Sequence, residues 1–220
     1  SWRGFDLMNG VIKNTSTIDY YYAWMFKRAT GFFDVVCFDG VNGATAFDHG
    51  LTVVPEMMIV KKRSATSDWT VYHTGYPTPT TNQGALNLTG GYYANASFST
   101  IPTSTQFTFN AYSTGTQVAY LFATLAGVSK VGSVVHSGTT NVDCGFSAGA
   151  RFVMAKRTDS SGDWFVWDSA RGIVAGNDPY LLLNSTAAGV TNTDYIDPLS
   201  SGFTLTSSFT AGTYIFLAIA

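Results

Sequence analysis

The chain has 220 residues, a net charge of −2 and only 12% charged residues, about half the ~25% of a typical soluble domain. Hydroxyls and glycine fill the gap, with 29 Thr, 20 Ser and 22 Gly. An apolar content of 45% excludes a disordered chain, the lack of a basic cluster argues against nucleic acid, and no apolar run approaches the ~20 residues of a membrane helix.

Residues 1–30 read as the C-terminal strands of a preceding repeat or linker. Tyr22-Ala23-Trp24-Met25-Phe26, then Gly31, line up with Val118-Ala119-Tyr120-Leu121-Phe122, then Gly127; Gly4-Phe5-Asp6-Leu7 echoes Gly202-Phe203-Thr204-Leu205. On that reading Ser1 is a cut or processing point. Next come strand-like runs at Val35–Phe38, Thr45–Phe47, Met57–Lys62, Trp69–His73, Ala85–Leu88, Gln106–Phe109 and Val118–Ala123, rich in β-branched and aromatic residues and punctuated by Gly, Asn and Pro. No window carries a sustained helical period with caps.

The same order then repeats. Shifted by 95 positions, residues 43–88 align with 138–183 without a gap, with eleven identities that include Lys61/Lys156, Asp68/Asp163, Trp69/Trp164, Val71/Val166, Asn82/Asn177, Leu86/Leu181 and Leu88/Leu183. At an offset of 96, Val118-Ala119-Tyr120-Leu121 meets Tyr214-Ile215-Phe216-Leu217. The predicted fold is all-β: two tandem antiparallel β-sandwiches of about 95 residues, at 31–126 and 127–220, in a row. Trp69, Val71, Trp164 and Val166 share one strand face and are expected in the core; Tyr72 and Trp167 point the other way, to the surface or against a loop or neighbouring chain.

Little in the chain has the spacing of a catalytic or metal motif. His49, His73 and His136 have no nucleophile or metal helix beside them. Asp159 with Asp163, and Asp194 with Asp197, are candidate carboxylate pairs for glycoside hydrolysis, but they lie in Ser/Gly/Asn-rich turns where Asp caps its own backbone. Asp159–Asp163 lacks the further acids of a calcium loop. No enzyme, cofactor or metal is expected, and Cys37 and Cys144 read as free, buried thiols. The most ligand-like residues are Tyr92, Tyr93 and Asn95 in a Gly-rich loop, with Tyr76 beside Pro77 and Pro79; Trp167 and Arg171 are the matching candidates in the second copy. Rings beside amides offer the stacking faces and hydrogen bonds that sugars use. The alternative is that these loop aromatics fold back onto their own sandwich.

Several stretches resemble a repeat domain near the C-terminal ends of tailed-bacteriophage tail fibre and tail-associated proteins. They are Gly31-Phe32-Phe33-Asp34-Val35-Val36, Asp48-His49-Gly50-Leu51, Pro55, Ile59-Val60-Lys61-Lys62-Arg63 and Asp68-Trp69-Thr70-Val71-Tyr72-His73. The second copy matches through Lys130-Val131-Gly132, Asp143-Cys144-Gly145-Phe146, Lys156-Arg157 and Asp163-Trp164-Phe165-Val166-Trp167, and departs from the pattern at Cys144 and Ala150. The resemblance implies a virion protein, assembled in the bacterial cytoplasm, homotrimeric, in contact with other virion proteins and facing the host surface without membrane insertion. It makes recognition of a bacterial surface glycan the leading expectation, with a purely structural spacer as the alternative and a depolymerase third.

Overall fold

The computed structural model describes residues 24–220, together with the backbone of two short paired strands, β1 (Asp6–Leu7) and β2 (Gly10–Val11). The expected closing strands within 1–30 therefore lie largely outside the described residues. Trp24–Arg28, which are described, join no strand.

Unit 1 contains β3 (Phe33–Gly40), β4 (Ala44–Asp48), β5 (Met57–Lys62), β6 (Trp69–His73), β7 (Asn82–Ala85), β8 (Tyr93–Ala94), β9 (Gln106–Asn110) and β10 (Gly115–Phe122). Unit 2 contains β11 (Ser129–His136), β12 (Thr140–Asp143), β13 (Phe152–Arg157), β14 (Trp164–Asp168), β15 (Leu181–Leu182), β16 (Ile196–Leu199), β17 (Gly202–Leu205) and β18 (Gly212–Ile219). Each unit is an antiparallel sandwich. In unit 1 the sheet β3-β10-β5-β6-β7-β8 is covered by the pair β4-β9; in unit 2 the sheet β11-β18-β13-β14-β15 is covered by β12-β17-β16. The boundary between residues 126 and 127 falls in the connection from β10 to β11.

The two sandwiches do not stand in a row: they pack back to back. Strict alternation along β5 sends Met58 and Val60 to a core shared with Phe107 and Phe109 of β9. Met57 and Ile59 go the other way, into a middle core with Val71, Phe122, Met154, Trp164, Val166, Ile215 and Leu217. Unit 2 has its own core on the far side, built on Val153, Ala155, Trp167, Phe203 and Phe216. The molecule is a four-layered stack of sheets with three cores, the middle one supplied by both units. Burial of both faces explains why β5 and β13 read as continuous apolar runs.

This arrangement decides what each aromatic face packs against. Val71, Trp164 and Val166 are buried as expected, but in the inter-unit core, where Trp164 Nε1 donates to Ala85 O at 2.8 Å. Trp69 is instead 38% exposed, with Lys61 Nζ 5.6 Å from its ring centroid. Tyr72 and Trp167 are fully buried in the outer cores. Cys144 is buried, and burial pushes its thiol up to about 12; Cys37 is exposed, contrary to expectation, because it lies on the outermost strand β3.

The register of the repeat also differs from the ungapped alignment. Trp69 N donates to Asn87 Oδ1 and Leu86 N to Trp69 O, while Trp164 N donates to Asn184 Oδ1 and Leu183 N to Trp164 O. Asn87 Nδ2 reaches Asp68 Oδ1 at 2.7 Å, as Asn184 Nδ2 reaches Asp163 Oδ1 at 2.7 Å. The equivalent pairs are thus Leu86/Leu183 and Asn87/Asn184, so the identities Leu86/Leu181 and Leu88/Leu183 are coincidental. In the last strands Lys61 faces Val118 and Lys156 faces Ile215, an offset of 97 rather than 96. One residue of slip exchanges the two faces of a strand.

Candidate functional site

Three of the six candidate ligand residues are taken up by the protein itself. Trp167 is fully buried in the unit 2 core, against Phe165, Tyr180 and Phe209. Tyr76 is 3% exposed, lies over Gly84, where no room remains for a Cβ, and packs edge-on to His73. The Arg171 side chain is 7% exposed and pairs with Asp168, which also accepts from Trp24 Nε1 at 2.8 Å; the guanidinium stands 5.4 Å from the Trp24 ring. For these positions the aromatics and cation do fold back on their own scaffold, and no face is left for a ligand.

Tyr93 and Asn95 meet in a groove of about 250 Å³ on unit 1, and Tyr92 remains exposed nearby, its ring 6.0 Å from that of Tyr76. The floor comes from β5, β6, β7 and β10 through Val60, Thr70, Gln83 and Gln117. The walls are Tyr93, Asn95 and Ser97 on one side and the β9–β10 turn, Asn110–Ser113, on another. Sequence reasoning missed Tyr112, which is 53% exposed and has φ +55°. Two contacts hold this left-handed backbone: Tyr112 N donates to Asn110 Oδ1 at 3.1 Å, and Tyr112 Oη donates to Asn95 Oδ1 at 3.1 Å. Such a conformation is costly for a bulky residue and recurs where a side chain must be aimed. The available signal was Asn110 two residues before an aromatic and ahead of Ser-Thr-Gly, an Asx-turn pattern.

The groove is polar and electrically balanced. Asn95 Oδ1 also receives Ser97 N at 2.9 Å and Ser97 Oγ at 3.0 Å. Lys62 Nζ donates to Ser113 Oγ at 2.7 Å, and Asp68 accepts from Asn87, so the cation and the anion both have partners within the protein. Gln83, 2% exposed, donates through Nε2 to Tyr93 Oη at 3.2 Å, whereas its Oε1 is buried without a partner. Burial, with the nearby Asp68 charge adding to it, raises the Tyr93 phenol despite that hydrogen bond. Tyr93 is therefore a neutral phenol at physiological pH, and Gln83 Oε1 lies beneath the groove surface rather than on it.

The remaining carboxylates lie elsewhere in the fold. Asp34 is held low because amides of Gly50 and Val35 and the Arg28 guanidinium outweigh the upward push of burial. Asp159 pairs with Arg157 at 2.6 Å, and Asp163 with Asn184. Asp194 and Asp197 lie near Asp178, whose carboxyl is pushed up to about 6 by burial and then by those two charges. Among the described residues no group of three or more His, Cys, Asp or Glu has the arrangement of a metal site.

A family profile described as a domain of unknown function, DUF7483, matches residues 11–220. The chain belongs to the DUF7483 family. No curated protein and no solved structure matches it. The DUF7483 match runs across both sandwiches of this chain.

Proposed function

We propose that this DUF7483 chain is a non-enzymatic attachment module of a tailed-phage particle, carried on a tail fibre or another exposed part of the virion, that recognises a bacterial cell-surface polysaccharide. It would act as a homotrimer among other virion proteins. The observation that carries the reading is the groove of Tyr93, Tyr112, Asn95 and Gln83: rings, amides and hydroxyls, with one cation and one anion whose charges balance, on a β scaffold. Aromatic area with few converging polar groups is the usual make-up of a small-molecule site. The resemblance of both repeats to tail-fibre repeats supplies the biological setting, and the sparse charge suits contact with sister chains or neutral sugars.

The test is direct. Purified, fluorescently labelled chain is mixed with capsulated strains and their capsule-less derivatives, and its mass is measured by light scattering. Binding to some capsulated strains, lost in the derivatives, together with a trimer mass, is the expected result. A trimer that binds no strain would instead support the purely structural spacer.

A further inference from the structure

The two repeats differ most where the groove lies, and the hydrogen-bond register makes the comparison residue by residue. Val60 pairs with Thr70 as Ala155 pairs with Phe165, which equates Thr70 with Phe165. The β7–β8 ladder equates Gln83 with Tyr180, through Gln83↔Tyr93 and Tyr180↔Val190. Asn110 N donates to Ser97 O as Thr206 N donates to Tyr195 O, so Ser97 matches Tyr195. Asn110 Oδ1 accepts from Tyr112 N as Thr206 Oγ1 accepts from Ser208 N, which places Ser113 opposite Phe209. Lys62 and Arg157 equate Gln117 with Tyr214.

Five small or polar groove positions in unit 1 thus correspond to five aromatics in unit 2. Those rings fill the equivalent space: Phe165–Tyr180 at 5.2 Å, Phe165–Phe209 at 5.1 Å, Tyr180–Tyr195 stacked at 5.6 Å, Tyr195–Phe209 at 5.3 Å and Phe209–Tyr214 at 4.8 Å. One repeat architecture therefore closes this volume with a dry aromatic cluster, and the other leaves it open with Gln83 Oε1 buried and unpartnered in its floor.

We infer that the unit 1 groove is a binding site for one uncharged saccharide residue, a hexose or N-acetylhexosamine, and that each chain carries a single such site because unit 2 has filled its counterpart. This inference deepens the attachment reading and rests on it. Hydroxyls or the acetamido group of the sugar meet the polar side chains that line the groove at its surface, Thr70 and Asn95, and the exposed ring of Tyr112 and the half-buried ring of Tyr93 flank the sugar. The groove, at about 250 Å³, is just below the ~300 Å³ lower limit of drug-sized pockets, which suits one residue of a longer glycan whose remainder runs out to solvent. Lys62 and Asp68, of opposite sign and both lining the groove, leave it with no net charge to favour an anionic sugar over a neutral one.

Backbone-amide NMR of the full chain during titration with methyl β-D-glucopyranoside, methyl β-D-galactopyranoside and methyl N-acetyl-β-D-glucosaminide tests this, with methyl β-D-glucuronide as the anionic probe. At least one neutral glycoside is expected to shift Thr70, Gln83, Asn95 and Tyr112 at millimolar to tens of millimolar concentration, leaving Phe165, Tyr180 and Tyr195 unmoved. Gln83→Tyr, which imports the unit 2 residue, and Tyr112→Ala, which removes an exposed ring without touching the core, should each weaken binding about tenfold or more, with amide positions outside the groove unchanged in Tyr112→Ala. No groove shift with any neutral glycoside, stronger shifts with the glucuronide, or shifts centred on unit 2 would overturn the inference. If labelled chain binds cells and Tyr112→Ala and Gln83→Tyr bind them equally well, this site is wrong while the attachment reading stands. If no cell is bound, the attachment reading itself fails.

Discussion

Lys156 of unit 2 grips the backbone of unit 1: its buried Nζ donates to Thr89 O at 2.8 Å as well as to Gly162 O at 2.5 Å. Its counterpart Lys61 closes only its own turn, by donating to Ser67 O beside the Trp69 ring. Burial pulls the Lys156 ammonium down to about 8, with Asp163 opposing. Thr89 begins the loop that delivers Tyr92 and Tyr93, so unit 2 holds in place the wall of a groove it does not itself possess.

Lys156→Met should therefore cost about 1–3 kcal/mol, because the partly buried Gly162 carbonyl and the Thr89 carbonyl both lose a charged donor. Lys61→Met, where water replaces the lost donor, should cost less than about 1 kcal/mol. Urea unfolding of the two variants measures the difference. Equal losses would mean that the clasp between units contributes nothing.

The same loop gives a steric pair. A Cβ on Gly91 would stand 2.6 Å from Thr158 O, whereas one on Gly90 would meet nothing within 4 Å. Gly91→Ala should lower stability by about 1–3 kcal/mol and speed amide exchange from Thr89 to Tyr93; Gly90→Ala should leave both unchanged within error.

His73 makes the interface between units acid-sensitive. Its Nδ1 accepts Gly75 N at 2.9 Å, which leaves Nε2–H to donate to Phe216 O at 3.3 Å; burial, only partly opposed by that carbonyl, pulls its pKa to about 4. Between pH 6.5 and 4 the unfolded chain binds the proton and the folded chain does not, so stability falls as pH drops through that window. The loss from this group is on the order of 3 kcal/mol. Chemical unfolding at pH 7 and pH 4.5 should show the decline, and His73→Gln should flatten it.

Asp178 acts in the opposite sense. Its carboxyl is raised to about 6, so the folded chain holds the proton more tightly, and the stability this provides below pH 3.8 is lost as pH rises through 6. Asp178→Asn keeps the acceptor for Val174 N, at 2.8 Å, and removes the buried charge. It should stabilise the protein by about 1–2 kcal/mol at pH 7.5 and by little at pH 4; a variant less stable than the parent at pH 7.5 would show that the Asp178 charge is needed there.

Much of the scaffold is legible in the sequence, because alternation and turn residues act locally. Strands β5 and β6 occupy the expected ranges Met57–Lys62 and Trp69–His73, and the Asp-Trp pairs mark equivalent turns. Strand β7 is displaced from Ala85–Leu88 to Asn82–Ala85. The run Leu181-Leu182-Leu183 hides the two-residue slip that the Asn184–Asp163 hydrogen bond exposes, since any leucine of the three satisfies an apolar alignment. The exposure of Trp69 and the burial of Tyr76 are long-range outcomes, set by which sheet lies opposite, and no local pattern encodes them. The groove was half legible: Tyr93 and Asn95 stand out beside Gly90 and Gly91, whereas Tyr112 and Gln83 join them only through strand pairing.

The middle core draws Met57, Ile59, Val71 and Phe122 from one repeat and Met154, Trp164, Ile215 and Leu217 from the other. Cutting the chain between them would turn the inner face of each sheet into an exposed apolar wall, a surface that invites aggregation. Although the sequence advertises two modules, the shared wall makes them one folding unit: neither half can be excised without uncovering the other's inner face.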